Sequence, residues 1–398
     1  MARVLTVGAS PIGGSSMVSY KSHFRRFLEA EPGRLHFAAH SHHLWPDVTF
    51  DAQQAAWLDA ARLVDDKWDH VFGTVWPEAQ KHVAAELGLP EPSSVVFASS
   101  THEFVARLLS CLPERPRIVT SDSEFHSFER QTRRLEEDGA IDVVRVASEP
   151  FATFGERLVD AAKRERTHLV FFSHVFFNSS AIVRDLPAIV SALPNDALVV
   201  IDGYHGFLAV PTDFAALAPR AFYLAGGYKY AMSGEGVCFL HVPDGVDARP
   251  RNTGWFAAFG DLQEKFAGRV PYAARGMRFA GATFDPTALY RFNAVMRWRN
   301  EIGLTTAATR AHAQELQRRF VAGIDRIHGG VLRRSQLVVS YGDPNRAQFL
   351  TFRMPEAREF CATLKSRRVI TDARDDRLRF GFGVYQDPDD VDELVKRL

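Results

Sequence analysis

The chain has 398 residues, 46% of them hydrophobic and 24% charged, the composition of a folded globular protein rather than a disordered one. Lysine plus arginine equal aspartate plus glutamate at 48 each, so no net field draws nucleic acid or an anionic membrane to it. Three cysteines, Cys111, Cys238 and Cys361, are too scattered for a zinc site and too few for a disulfide framework.

Residues 1–20 read as a flexible arm. Its short apolar patch is broken by Gly8, Pro11, Gly13 and Gly14, which suits neither a signal peptide nor a spanning helix, and the expected compartment is the cytoplasm. Pro11-Ile12-Gly13-Gly14 is not a phosphate loop, because no Gly-Lys-Ser/Thr follows. Helical spacing predicts helices over Asp51–Leu63 and Pro77–Leu87, the second closed by Gly88 and Pro90. Short apolar runs then alternate with helical stretches. The runs are Ser94–Ala98, Arg117–Thr120, Val143–Val146, Leu169–Ser173, Leu198–Asp202, Ala221–Ala225 and Val237–Val242; the helices are Glu103–Cys111, Phe128–Glu137, Phe154–Arg164 and Ala188–Leu193. This alternation predicts an α/β fold with a mainly parallel seven-stranded sheet. After Pro286 the pattern changes to a long helical stretch (Thr287–Ile327), runs at Ser335–Ser340 and Gln348–Phe352, a helix near Ala357–Arg367 and a final strand Leu378-Arg379-Phe380. The expected division is an N-terminal arm (1–50) that packs with the small domain, a large cofactor-binding domain (51–286) and a small C-terminal α+β domain (287–398).

One stretch carries the chemistry. Ala225-Gly226-Gly227-Tyr228-Lys229-Tyr230-Ala231 follows a predicted strand and sets a lysine between two aromatics. An ammonium buried without a partner is costly, and such a lysine is tolerated mainly where the amine is wanted neutral and nucleophilic. Asp202 ends the apolar run Leu198–Asp202, with His205 three residues on. A reactive lysine and an aspartate, both just past the carboxyl ends of predicted strands, are what pyridoxal phosphate (PLP) requires: an amine to hold it and an anion for its pyridine nitrogen. Taken alone, Lys229 reads as a surface lysine and Asp202 as a turn residue. Ser100 and Glu103 match a capping box at a helix start, where Ser100 and Thr101 would offer a phosphate site, and Phe125 or His126 would cover the ring.

In order, Ser100-Thr101, Glu124-Phe125-His126-Ser127, Ser173-His174-Val175, Asp202-Gly203-Tyr204-His205 and Tyr228-Lys229 resemble the class V aminotransferase family of fold-type I PLP enzymes, and within it kynureninases. The resemblance spans roughly residues 36 to 390. It implies the fold-type I PLP-dependent transferase fold, with PLP as cofactor held by Ser100, Thr101, Phe125, Ser173, Asn178, Asp202, His205, Tyr228 and Lys229. It also implies a homodimer with the active site at the subunit interface, because Trp255 of Gly254-Trp255-Phe256 and Thr283 of Gly281-Ala282-Thr283 match segments that reach the neighbouring subunit's cofactor. Lys229, Asp202 and Tyr228 take the catalytic roles, and Arg379 of Leu378-Arg379-Phe380-Gly381 grips the α-carboxylate of an L-amino acid, a task suited to a planar guanidinium.

The chain departs from kynureninases around the expected substrate pocket. His40-Ser41-His42-His43 replaces an Asn-Ser-Leu-Gly segment, and Phe125-His126-Ser127-Phe128 lacks the aspartate of the family's run. Phe177-Asn178-Ser179-Ser180 stands where a tyrosine is usual, with Asn178 as its polar replacement. His36, His40, His42 and His43 could instead ligate a metal, but no acidic or cysteine partner is adjacent, and no metal is expected. The preferred reading puts His40 or His42 at the pocket rim and Trp45 against an aromatic or apolar substrate group. The reaction implied is kynureninase-like cleavage of a Cβ–Cγ bond. The alternatives are transamination to a 2-keto acid and a non-catalytic binding protein that keeps the fold. Desulfuration needs a nucleophilic cysteine on a mobile loop, and Cys238 and Cys361 fall in a predicted strand and helix.

Overall fold

The computed structural model describes residues 17–261 and 268–398; Pro11-Ile12-Gly13-Gly14 and most of the expected arm lie outside them. The chain begins with α1 (Arg25–Glu29), β1 (Leu35–His36), α2 (Val48–Leu63), α3 (Lys67–His70) and α4 (Trp76–Leu87). Gly88 ends α4 in the left-handed region (φ 67°), which a residue with a Cβ enters only with strain. Then come β2 (Val95–Ala98), α5 (Thr101–Ser110), β3 (Arg117–Ser121), α6 (His126–Glu137), β4 (Asp142–Val146), α7 (Phe154–Arg164), β5 (Leu169–Ser173), α8 (Leu186–Ala192), β6 (Leu198–Asp202), β7 (Ala221–Gly226) and β8 (Cys238–His241).

These last seven strands form one sheet in the order β2-β8-β7-β6-β5-β3-β4. All neighbours are parallel except β8, which runs antiparallel to both β2 and β7. Runs such as Val199-Val200-Ile201 and Phe222-Tyr223-Leu224 are buried throughout, as expected for a sheet covered on both faces. Because β5, β6 and β7 are parallel and in register, Ser173 pairs with Asp202 and Asp202 with Leu224. The carboxyl ends of these strands therefore open side by side, and the loop carrying Lys229 leaves β7 at the same edge.

The C-terminal part holds α9 (Thr287–Glu301), α10 (Thr306–Ile324), β9 (Phe349–Arg353), α11 (Ala357–Ser366), β10 (Val369–Ile370), β11 (Asp372–Arg374), β12 (Arg377–Gly381) and α12 (Pro388–Arg397). The single long helix expected over Thr287–Ile327 is two helices. Gly303 turns through φ 68°, and the Thr305 hydroxyl accepts the Ala308 N–H at 3.1 Å to cap α10. The strand expected at Ser335–Ser340 is also absent. Arg334–Gln336 forms a short 3-10 turn whose Gln336 side chain accepts the Arg333 N–H, and only an isolated bridge from Leu337 to Phe352 touches the sheet. β11, β12 and β9 form an antiparallel sheet, and β1 pairs in parallel with β10. Leu35 and Phe37, beside β1, share a core with Leu316, Phe320, Phe352, Phe380 and Leu394. A further cluster joins Phe24, Leu44, Trp298 and Tyr385 to Met232, three residues past Lys229, so the active loop is packed from behind by the N-terminal segment and α9. Among the described residues no helix is long and apolar enough to cross a membrane.

Candidate active site

Lys229 is 3% exposed. Its ammonium lies 5.1, 4.7 and 4.9 Å from the ring centroids of Phe125, Tyr204 and Tyr228, and 3.4 Å from the Tyr228 hydroxyl. Burial lowers its pKa from 10.5 to about 7 against the opposing pull of Asp202. Asp202 leaves β6 with Oδ1 accepting the Tyr204 N–H at 2.9 Å, and burial raises its pKa to about 6 despite that bond and the Lys229 charge. An amine and a carboxyl are thus held close to their ionisation points beside each other, as functional sites require.

Both line a cavity of about 280 Å³ with Ser100, Thr101, Phe125, Ser173, His205 and Tyr228, all expected there, and with Ser99, His102, Phe177, Tyr204 and Cys238. Ser100 sits extended before α5, but no side chain caps the helix. The expected capping box is not formed, because the Glu103 carboxylate turns to the Ser99 hydroxyl and to Arg107, one turn further along. The start of α5 nevertheless faces the cavity with three hydroxyl side chains. His205 is buried, and burial, then the Lys229 and Arg379 cations, keep its pKa well below the usual imidazole range.

Six expected site residues, His40, Trp45, Asn178, Trp255, Thr283 and Arg379, do not line this cavity. His40 is fully buried rather than at a rim, stacked on Phe349 at 4.7 Å. His42 holds the rim instead, stacked on Tyr228 at 5.0 Å and 3.6 Å from Glu235. Trp45 lines a separate cavity of about 610 Å³ with Phe27, Phe50 and Arg291, drawn there because its indole packs over Gly234 and the Arg291 guanidinium. Asn178 donates to the Ser123 hydroxyl at 3.2 Å and does not line the cavity. Trp255 donates to Thr283 at 3.3 Å, and neither lines the Lys229 cavity of its own chain. His36 bonds Tyr385 and His43 bonds the Leu44 carbonyl, so the four histidines splay apart, and among the described residues no group of three ligands could hold a metal.

Arg379 is buried behind Phe177, its guanidinium 5.7 Å from that ring. It donates to the Phe177 carbonyl and to Asp372, while Nε has no partner among the described residues. Phe177 in turn packs against Phe125 and His126 at 5.6 and 5.2 Å, which makes one aromatic wall. Phe128, beside Phe125 in sequence, instead stacks on Phe171 at 3.8 Å in the core.

Sequence reasoning missed Glu124. This buried carboxyl contacts the Ser121 hydroxyl, the Ser173 N–H at 3.1 Å and the Ser173 hydroxyl at 2.6 Å, and so ties the Phe125 turn to the end of β5. Burial raises its pKa to about 8, against the Ser121 and Ser173 hydroxyls and the Ser173 N–H, which all donate to the carboxyl oxygens. Its signals were its place in the matched run Glu124–Ser127 and an acid inside the polar run Ser121–Ser127, but short polar runs usually mean a solvated turn.

PLP demands an amine, an anion for its ring nitrogen, phosphate donors and a cover for its ring. Lys229, Asp202, the Ser99–Thr101 corner and Phe125 converge on one cavity with that donor set, so the residues fit the cofactor.

Comparison with known proteins agrees. Isopenicillin N epimerase from Amycolatopsis lactamdurans is 28% identical over 188 residues, 44% of this chain and 46% of that protein. The epimerase from Streptomyces clavuligerus is 28% identical over 215 residues, 49% and 50% of the two chains, so the match spans about half the length of these relatives. A probable cysteine desulfurase from Vibrio cholerae is 23% identical over 333 residues, 80% of each. Among solved structures, a C-DES mutant with glycine covalently linked to its PLP cofactor superposes with a TM-score of 0.77 at 15% identity, covering 94% of this chain and 98% of that one. The cysteine desulfurase of Thermococcus onnurineus NA1 gives 0.76 at 16% identity, covering 96% and 98%. These structures share the fold-type I architecture. The aminotransferase class-V family matches residues 66–358, well over half of the sequence, and the chain therefore belongs to that family of PLP-dependent enzymes.

Proposed function

We propose that the enzyme acts on an L-amino acid with a flat or apolar side chain, in a kynureninase-like hydrolytic cleavage of the Cβ–Cγ bond. The observation that carries this reading is the aromatic wall of Phe125, Phe177 and His126 between the Lys229 amine and the buried Arg379. Bound at Lys229, PLP supplies an electron sink that acidifies the bonds of the substrate's α-carbon. Asp202, at the end of β6, would hold the cofactor's ring nitrogen protonated. The Lys229 amine, with its pKa lowered to about 7, moves a proton to and from the α-carbon at neutral pH. Arg379 takes the α-carboxylate, and the rings of Phe125, Tyr204 and Tyr228 exclude water from the amine. A substrate with a γ-carbonyl adds one water and separates into alanine and an aromatic acid.

The relatives favour a second reading, in which the same α-proton chemistry serves epimerisation or release of sulfur. Desulfuration through an enzyme thiol has no support from the cysteines. Cys238 is buried in β8 with its pKa raised to about 12, and Cys111 is raised as far by burial. Cys361 sits in α11, where the Thr371 hydroxyl donates to its sulfur at 3.4 Å.

The test begins with the visible absorbance of the purified protein, expected in the wild type and lost in Lys229→Ala. Incubation with L-kynurenine should then yield alanine and anthranilate. Amination of pyruvate in place of anthranilate would assign transamination. Cysteine persulfide from L-cystine, or loss of optical purity in the amino acid, would move the protein to the second reading.

A further inference from the structure

Asp372 and Arg379 face each other across the antiparallel pair β11–β12, directly opposite in register. Their ion pair is buried, with the side chains 13% and 4% exposed. Asp372 takes one end of the guanidinium, Nη2, and the Phe177 carbonyl takes Nη1. Arg379 Nε is buried and has no partner among the described residues. Beside this pair lies a second unpartnered group. Both ring nitrogens of His40 are buried without a hydrogen bond, Nδ1 facing the backbone of Gly381 so closely that a Cβ there would lie 2.3 Å away. His40 Nε2 points at Asp372 Oδ2 from 3.9 Å, and a shift of about 1 Å would bring the two to hydrogen-bond distance. Arg374 Nη1 waits 3.6 Å from Oδ1, the other oxygen of the same carboxylate.

We infer that Asp372 is a displaceable counter-ion: an incoming α-carboxylate takes its place on Arg379, and His40 receives the displaced Asp372. The inference rests on the reading that Arg379 binds the substrate carboxylate. In the free enzyme a guanidinium N–H and a buried imidazole N–H both lack acceptors, which is unfavourable for buried polar groups. With the carboxylate bidentate on Nε and Nη2, and Asp372 on His40 Nε2 and Arg374, each of those donors has a partner. Asp372 meanwhile keeps the guanidinium compensated while no substrate is present, since an unpaired buried charge is strongly destabilising. The exchange also explains why His40 is buried against Phe349 rather than displayed at the rim. Its role is toward Asp372, so it is a positioning residue. A carboxylate spans both Nε and Nη2 of Arg379 only by transferring Asp372 to His40, so ligands that lack a carboxylate leave the original pair intact.

The test is a titration of the PLP-loaded protein with glycine, followed by the absorbance of the bound cofactor. His40→Phe should weaken glycine binding by about tenfold, the loss of one hydrogen bond to a charged group. Asp372→Asn should tighten it, because no anion has to be displaced. In the Asp372→Asn background, His40→Phe should have no further effect, a non-additivity that a purely structural role would not produce. An unchanged Kd in His40→Phe, or a loss in Asp372→Asn as large as in Arg379→Ala, would overturn the inference and leave Asp372 as a fixed strut. If Arg379→Ala itself binds glycine normally, the underlying carboxylate reading fails instead. Should the variants not fold, the wild-type structure with glycine decides: Asp372 on His40 and off Arg379 is expected, and Asp372 still on Arg379 overturns the exchange.

Discussion

Replacing Lys229 by methionine should stabilise the cofactor-free protein, and by an amount that depends on pH. The unfolded chain keeps the amine protonated up to a pKa of 10.5, whereas the folded chain surrenders the proton near 7 because burial disfavours the ammonium. Between those values the unfolded state binds more protons, so stability of the wild type rises with pH and the cost of the lysine shrinks. Integrating across that window gives a cost of about 4 kcal/mol at pH 7, falling to less than about 0.5 kcal/mol at pH 10.5. Methionine has a similar length and no charge, so it removes this cost at every pH while filling the same apolar space among Phe125, Tyr204 and Tyr228. The assay is urea denaturation of the two apo-proteins at several pH values. Titrating groups that do not sense Lys229 are common to both and cancel in the difference, and the pH range lies above the Asp202 pKa of about 6. The gap between variant and wild type should close by about 4 kcal/mol from pH 7 to pH 10.5. A gap that stays flat over that range would refute the claim that the amine is held in a buried, neutral state.

Three further outcomes follow from the packing. Phe128→Ala removes a ring stacked at 3.8 Å on Phe171 in the core, and should cost about 3–5 kcal/mol in denaturation while the cofactor absorbance of the folded fraction is kept. Gly234→Ala places a Cβ 2.4 Å from the Trp45 ring at a φ of 73°, so both sterics and backbone oppose it. It should lower the melting temperature and loosen the Lys229 loop, seen as weaker cofactor retention on dialysis, whereas Gly33→Ala, also at positive φ but in open space, should lower the melting temperature without affecting retention. Mixing Lys229→Ala with Trp255→Ala subunits tests the proposed dimer: recovery of activity on mixing is expected if Trp255 serves a neighbouring subunit's site, and no recovery would sink that placement.

Much of the fold was legible because the β5, β6 and β7 segments are unbroken apolar runs of four to six residues, which few structures other than a doubly covered parallel strand accommodate. Asp202 and Lys229 were legible for a related reason. A charged group at the end of such a run must either reach solvent or enter a site, and the flanking aromatics made the site the better choice. The break between α9 and α10 was harder to see, since Gly303 interrupts a helical pattern that is otherwise continuous on both sides. The turn at Arg334–Gln336 was missed because its stabilising bond runs from a side chain to the backbone, which periodicity does not register.

What local pattern points to in the sequence is the set of groups at strand ends: Lys229, Asp202 and the Ser100–Thr101 corner. Their positions follow from local pattern, because a parallel sheet brings the carboxyl ends of its strands to one edge whatever the loops do. Which way the histidines and Trp45 turn was decided only by tertiary packing. Residues 37–45 run between the two parts of the chain, with backbone contacts from His43 to Tyr228 on one side and from Phe37 and Ala38 to Gly381 on the other, so partners distant in sequence orient them. His40 is buried because Phe349 and Gly381 close over it, and Trp45 turns to Gly234 and Arg291. Asp372 meets Arg379 through the register of β11 against β12, a pairing that no local signal announces.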